Sequence, residues 1–349
     1  MDKKLLFTDG IDACVILSSV NRQYFTGLAT SFGCAVITEK DDFFVTDFRY
    51  QTDAKDKLQD FNLYFVNPAG LMPKIAEICA SVGARKIGFE ENLVTVQDYQ
   101  ALSGVLKDCI LVPCGGIINS IRLIKTEDEI AKIQQAQAIT ERALTETLRI
   151  VKPKVSERDV NAELVYNMYA GGADGLAFDN IVAFGANSAK PHSKPGDRKL
   201  EKDDVMLFDL GVRFKGYCSD MSRTFALSEP TPKLRSIYKI VLDAQEYALK
   251  FIKAGITCAE ADSYAREHII AHGYGKDFGH SLGHGVGLEI HETPRLAAGS
   301  DVILRENMVV TVEPGIYLES IGGVRIEDMV VIKKDGIVNL TSYKKELII

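Results

Sequence analysis

Two helices followed by strands, read twice over, is the pattern that most narrows what residues 122–349 can fold into. Thr126-Glu127-Asp128-Glu129 is a capping box, with Thr126 at the N-cap and Glu129 three residues on. Ile130, Ile133, Ala136, Leu144, Leu148 and Val151 then recur at helical spacing up to Pro153. Ser156 with Asp159 caps a second helix, whose Val160, Leu164 and Met168 face inward before Gly171-Gly172 ends it. Strand-like segments run from Ile181 to Leu227. The order then repeats. Thr231-Pro232 opens a long helix to Gly255, Thr257-Cys258-Ala259-Glu260 is a capping box for a helix to Gly273, and strands return towards Ile332. Residue identity between the halves is low, so the repeat is one of structure. It predicts an α+β domain with a pseudo-two-fold core over residues 122–349.

Ahead of it, strand-like runs alternate with helical stretches from Asp12 to about Ile121. Residues 13–17, 43–46, 63–66 and 86–89 read as short buried strands, and residues 49–60, 70–82 and 95–107 as helices. The alternation predicts a small α/β domain over residues 1–121 with a largely parallel sheet. No phosphate-cradling glycine loop follows any of these strands, which leaves a nucleotide role without support. Gly115-Gly116 and the next few residues read as the linker. Two domains also suit 349 residues, since single cores stop growing near roughly 250–300 residues.

Charge and composition narrow the partners. The net charge of −7, without a dense Lys/Arg run, argues against nucleic acid or an anionic membrane. No apolar run approaches the ~20 residues of a membrane span, and the apolar core of Met1–Asp9 is too short for a signal peptide. Seven cysteines without a CxxC pair fit free thiols in a reducing compartment. A soluble cytoplasmic protein is expected.

Three of the six histidines, His280, His284 and His291, fall within one short stretch, with Gly283, Gly285 and Gly287 among them. Histidine is the commonest side-chain metal ligand and the usual proton shuttle near neutral pH, and glycine admits close backbone approach. One buried histidine is ordinary packing; three so close mark a site. Lone carboxylates in apolar strands point to the same chemistry. Met206-Leu207-Phe208-Asp209-Leu210 sets an acid inside an apolar run, and buried carboxylates are rare unless paired or bound to metal. With Phe214-Lys215 at the tip of a hairpin, Asp209 stands opposite Asp220 on one face, their Cβ atoms ~5 Å apart. Two such carboxylates repel, and a cation is the simplest neutraliser. Glu313 ends the run Val310-Thr311-Val312. Glu327 follows two residues after Arg325 on the same strand face, with Asp328 pointing the other way. Together with His284, these four acids suit one or two divalent ions such as Mn²⁺, Co²⁺ or Zn²⁺, and suit a cysteine-rich structural zinc poorly.

With these residues set out, the chain resembles the proline-specific metallopeptidases of the pita-bread fold, the Xaa-Pro dipeptidases (prolidases) and Xaa-Pro aminopeptidases. The resemblance runs over essentially the whole chain and rests on FDLG with SDMSRTF, GHGVGLEIHE, VEPGIY and GGVRIED, in that order. It implies an α/β N-terminal domain in front of an α+β pita-bread catalytic domain with pseudo-two-fold internal symmetry. By residue matching, Asp209, Asp220, His284, Glu313 and Glu327 resemble the five ligands of a dinuclear centre. Asp220 and Glu327 would bridge, Asp209 would chelate one ion, and His284 with Glu313 would complete the other. Two divalent ions per subunit are implied, Mn²⁺ first, with Co²⁺ or Zn²⁺ as the other candidates. His192 matches a histidine near the scissile bond, His291 one that hydrogen-bonds the substrate carbonyl, and His280 one lining a proline pocket. Arg325 resembles an arginine that orients ligand carboxylates, and Arg295 one that grips a dipeptide's free carboxylate.

The implied activity is hydrolysis of the Xaa-Pro bond of short proline-containing peptides by a dipeptidase. Glu313 is expected to accept a proton from the attacking water and pass it to the prolyl nitrogen. One competing reading is an aminopeptidase releasing the first residue of longer Xaa-Pro peptides. Another, a non-catalytic binding protein on the same scaffold, is disfavoured by the intact ligand set. Relatives further imply a homodimer.

Overall fold

The computed structural model describes residues 3–349, so Met1 and Asp2 of the N-terminal stretch lie outside the described residues. The chain divides into two compact units, Met1–Arg122 and Leu123–Ile349.

The first unit is built on a six-stranded sheet of β1 (Ala13–Ile16), β2 (Cys34–Thr38), β3 (Asp42–Thr46), β4 (Phe61–Phe65), β5 (Lys86–Phe89) and β6 (Ile110–Pro113), in the order β4-β3-β2-β1-β5-β6. Helices α1 (Ser19–Thr26), α2 (Gln51–Lys57), α3 (Leu71–Ser81) and α4 (Val96–Val105) connect them. The sheet is mixed. Pairs β3/β4, β1/β5 and β5/β6 run parallel, whereas β1/β2 and β2/β3 run antiparallel. The short link between β2 and β3 forces the latter, since a parallel crossover needs a dozen or more residues. Strands β2 and β6 stand where the sequence reading has none.

The expected linker at Gly115-Gly116 is instead a helix, α5 (Gly115–Leu123), with Ile118, Ile121 and Arg122 buried. Gly115 serves close approach rather than flexibility. Its N–H donates to Glu91 Oε2 at 2.7 Å, and an added Cβ would lie 2.1 Å from Asn92 Oδ1.

The second unit repeats its element order. Helices α6 (Glu127–Thr147) and α7 (Glu157–Ala170) precede β7 (Gly175–Leu176), β8 (Ile181–Phe184), β9 (Val205–Leu210), β10 (Val212–Phe214), β11 (Tyr217–Cys218) and β12 (Met221–Ala226). Then α8 (Pro232–Phe251) and α9 (Cys258–Ala271) precede β13 (Gly283–Gly285), β14 (Glu292–Leu296), β15 (Val309–Val312), β16 (Gly315–Leu318), β17 (Gly322–Arg325), β18 (Asp328–Lys333) and β19 (Gly336–Asn339). Thr126 and Glu129 form the full capping box that starts α6. At α9 only half forms: Thr257 accepts the Glu260 N–H at 3.1 Å, but the Glu260 carboxylate takes the Tyr264 hydroxyl.

Period-two alternation decides what each strand shows to which side. Met206, Phe208 and Leu210 of β9 pack with Val160, Leu164 and Met168 of α7. Val310 and Val312, Val324 and Ile326, and Val330 and Ile332 pack with Val241, Ala244 and Ala265 of α8 and α9. The odd-numbered residues Asp209, Thr311, Arg325 and their successors Glu313 and Glu327 are thereby turned from both helical layers. Asp328 faces the helices, as its parity requires. Fully buried, it accepts hydrogen bonds from Arg223 at 2.8 Å, Gln245 at 3.1 Å and Asn339 at 2.8 Å, and pairs with Lys345 at 2.7 Å. Arg223 spends its other donors on the carbonyls of Ser222, Glu327, Tyr343 and Lys344, clipping the C-terminal segment to the sheet.

Removing one partner of a buried pair strands the other charge, at a cost of about 3–5 kcal/mol. Asp328→Ala should therefore lower the unfolding free energy by that amount, read as a lower denaturant midpoint. An unchanged midpoint would show that the pair contributes nothing net.

Candidate metal centre and active site

The hairpin that carries the first two acids turns one residue later than expected. Phe214 pairs with Tyr217 and Arg213 with Cys218, leaving Lys215-Gly216 at the tip. Both tip residues have positive φ, 49° and 86°, the signature of a tight primed turn. Asp209 consequently stands opposite Ser222, not Asp220. The slip is an even number of residues, so it preserves which face each side chain takes. Asp209 and Asp220 still line one cavity.

That cavity, of about 1130 Å³, is lined by Asp209, Asp220, His284, Glu313 and Glu327, and also by His192, His280, His291, Arg295 and Arg325. All ten residues singled out in the sequence meet there. Asp220, His284 and Glu327 each offer a ligand atom, all within 4.8 Å of one another. His284 Nε2 lies 3.5 Å from Asp220 Oδ2 and 3.4 Å from Glu313 Oε1. Burial, reinforced by Glu327, Asp209 and Glu313, holds the Asp220 carboxyl well above the ordinary range. Burial with Glu313 and Asp209 does the same to Glu327. Glu313 is pushed up to about 8, chiefly by burial.

The donor set fits divalent metal. His284 Nδ1 is 3.0 Å from the Gly285 carbonyl oxygen, which can only accept, so Nδ1 carries the proton and Nε2 presents its lone pair. Burial lowers the His284 pKa to about 4, keeping the ring neutral. A bare nitrogen facing two carboxylates is an arrangement of acceptors with no donor, and a cation among them resolves it. Asp209 carries the same mark: Arg325 holds Oδ2 at 2.6 Å, while Oδ1 is buried without a hydrogen-bond partner. Buried polar atoms are almost always satisfied.

Around these atoms runs a layer of donors. Arg325, itself buried, donates to Asp209 Oδ2, to Ser222 Oγ at 2.8 Å and to the Tyr317 hydroxyl at 2.7 Å. Ser222 in turn donates to Glu327 Oε2 at 2.7 Å, and Thr311 to Glu313 Oε1 at 3.2 Å. The Tyr317 hydroxyl lies 2.9 Å from His280 Nε2, and His280 Nδ1 lies 2.9 Å from the Ser281 carbonyl oxygen. Each donor thus has one acceptor, and His280 is a neutral ring locked at both nitrogens, its pKa lowered by burial to about 4. Ser222, Thr311 and Tyr317 escaped the sequence reading. Ser222 and Thr311 could have been found by parity, since each shares a face with an assigned acid on its own or the paired strand.

The remaining predicted residues stand at the cavity's open parts. His192, His291 and Arg295 are exposed. The His291 ring meets that of His284 edge-on, 4.4 Å between centroids at 73°. Arg295 pairs with His284 across β13 and β14 and donates to Ser281 Oγ at 3.2 Å. Leu176, Phe178, Ile181, Pro191 and Pro195 supply an apolar wall.

Known families match both parts of the chain. Residues 131–334 match the model of metallopeptidase family M24, and residues 3–124 that of the creatinase/prolidase N-terminal domain. The chain is 43% identical over 340 residues to the uncharacterized peptidase YqhT of Bacillus subtilis, covering 97% of this chain and 96% of that protein. It is 36% identical over 356 residues to the Xaa-Pro dipeptidase of Pyrococcus furiosus, covering 100% and 99%. Among solved structures, the X-Pro aminopeptidase of Thermotoga maritima superposes with a TM-score of 0.94 at 38% identity, covering 99% of each chain.

Loss of a group that orients a ligand typically costs 10–100-fold in metal affinity. Arg325→Met should weaken divalent-metal binding by about that factor in calorimetric titration. Unchanged affinity would show that Asp209 does not depend on the guanidinium.

Proposed function

Because this chain belongs to metallopeptidase family M24 and carries a creatinase/prolidase N-terminal domain, we propose that it is an Xaa-Pro dipeptidase acting on short proline-containing peptides. The observation that carries the reading is the convergence of five metal-ligand side chains, an apolar wall and Arg295 on one cavity. Asp209, Asp220, His284, Glu313 and Glu327 would hold two divalent ions, Mn²⁺ before Co²⁺ or Zn²⁺. Bound there, such ions supply Lewis acidity and make water acidic enough to attack near neutral pH.

The side chains do the rest. Glu313, which accepts the Thr311 hydroxyl on Oε1, takes the proton of the attacking water and delivers it to the departing prolyl nitrogen. His291 donates to the substrate carbonyl oxygen as negative charge grows on it, a role typically worth ~3–4 kcal/mol per donor. His192 lies on the same cavity and assists it. A prolyl bond has no N–H, so the leaving residue needs no acceptor and is held by the apolar wall together with the edge of His280. Arg295 grips the free carboxylate of the dipeptide. A cytoplasmic location, read from the unpaired cysteines and the composition, and a homodimer, drawn from the family resemblance, complete the proposal. No helix among the described residues is long and apolar enough to cross a membrane.

One observation favours a second reading. At about 1130 Å³ the cavity exceeds the ~300–1,000 Å³ typical of small-ligand sites, leaving room for residues beyond proline. The chain would then be an X-Pro aminopeptidase. Initial rates with Mn²⁺ on an Xaa-Pro dipeptide and on the same peptide extended by one residue separate the two. The dipeptide should be faster in the wild type, with the preference lost in Arg295→Ala. A faster extended peptide selects the aminopeptidase.

Glu313→Ala should abolish turnover, as should chelation, with Mn²⁺ or Co²⁺ restoring only the chelated wild type. Near-normal rates in the variant, or in metal-free protein, would refute the assignment.

A further inference from the structure

Beside the loop that carries His291 lies a buried ion pair with no part in the chemistry above. Lys125 Nζ donates to Glu292 Oε2 at 3.0 Å, with the two side chains only 1% and 6% exposed. Lysine and glutamate are almost never so buried unless paired. Lys125 directly precedes the capping box of α6, and its own N–H is bound to the Asn307 carbonyl at 2.9 Å. Glu292 opens β14 and follows His291 in the chain.

The loop of residues 286–291 is wrapped around that carboxylate. Glu292 Oε1 accepts the Glu289 N–H at 3.2 Å. The Gly287 N–H donates to the Glu289 carbonyl at 3.1 Å, and the Gly287 carbonyl accepts the Cys218 N–H at 2.8 Å. A Cβ on Gly287 would come within 2.6 Å of both carboxylate oxygens, so glycine is what lets the loop close on Glu292.

The geometry points to Lys125 and Glu292 as positioning residues that fix the His291 loop. The desolvated pair sets the loop's path, and the loop holds the His291 imidazole against the His284 ring at the cavity wall. Glu292 also borders the cavity whereas Lys125 does not, and the role assigned to both acts through His291. This inference rests on the reading of His291 as donor to the substrate carbonyl. A displacement of about 1 Å in such a group costs on the order of 10²-fold in rate.

The test removes both charges together, because deleting one would strand the other. In metal-loaded protein, Lys125→Met with Glu292→Gln should lower kcat on an Xaa-Pro dipeptide about 10²-fold while KM stays put. In a His291→Ala background the same two substitutions should cost nothing further, since residues acting through one group are not additive. In metal-free protein, the His291 Cε1–H resonance, identified by its loss in His291→Ala, should move towards the position of an unstructured histidine. If the double variant does not fold, Gly287→Ala presses on the carboxylate from the loop side and is read by the same resonance. An equal loss of kcat in both backgrounds, or a resonance that does not move, overturns the anchor. A wild type that turns over no Xaa-Pro peptide overturns the functional reading instead, and the resonance alone then decides the anchor.

Discussion

Four carboxylates in one cavity, with a neutral imidazole presenting its lone pair to two of them, cannot be neutralised by each other. In their ionised forms Asp209, Asp220, Glu313 and Glu327 have no donor among themselves. Arg325 compensates one oxygen of Asp209, and the two hydroxyls of Ser222 and Thr311 satisfy one oxygen each of Glu327 and Glu313. The Asp209 oxygen left bare, and the burial and mutual repulsion that raise the acids, leave room for positive charge the side chains do not supply. Divalent metal, implied by membership of the M24 family, is the group that supplies it.

The second unit can tolerate this repulsion because its strands are sorted by parity. Even-numbered residues of β9, β15 and β18 fill the two helical layers with Phe208, Val310, Val312, Val330 and Ile332. Among the odd positions stand Asp209 and Thr311. Asp209 lies within β9, and Asp220, Glu313 and Glu327 lie one residue beyond a strand end, so packed sheet fixes where each acid stands, and rigid elements hold a site more closely than loops do. His192 and His291 stand exposed on loops, and Arg295 stands exposed on β14. The candidate metal-ligand side chains are buried or partly buried, while these three are exposed on the same cavity.

How much of this could be read from residues alone follows the range of the forces involved. The capping box of α6, the apolar stripes of α6 to α9 and the parity of Asp209, Arg325 and Glu327 are local, and they are legible. The turn at Lys215-Gly216 was misjudged by one residue because positive φ at a lysine leaves no mark in the pattern. The even slip that resulted left the face of Asp209 intact, so the site survived the error. The sequence around Gly115 reads as a linker, since nothing near it reveals that Glu91 and Asn92 close on that glycine. The pairing of Lys125 with Glu292 spans 167 residues, and Tyr317 reaches both Arg325 and His280 only once β16 and β17 have paired. Such contacts exist in the fold and nowhere in the local sequence.

Glu327 and Asp328 show most directly that the acid cluster is kept for function. They are adjacent, and both are buried. Burial pushes both pKa values up, yet Glu327 ends well above the ordinary range and Asp328 below it. The neighbours make the difference. Asp328 meets Arg223 and Lys345, with amides from Gln245 and Asn339 filling its remaining lone pairs. Glu327 meets Glu313 and Asp209, and Arg325 with the Ser222 hydroxyl offsets them only in part. Asp328 at the start of β18 therefore shows what this chain does when a buried carboxylate serves stability: it surrounds the group with cations and donors. One residue earlier it does the opposite, and a carboxylate kept under-compensated in a cavity is the condition expected where function, not folding, sets the environment.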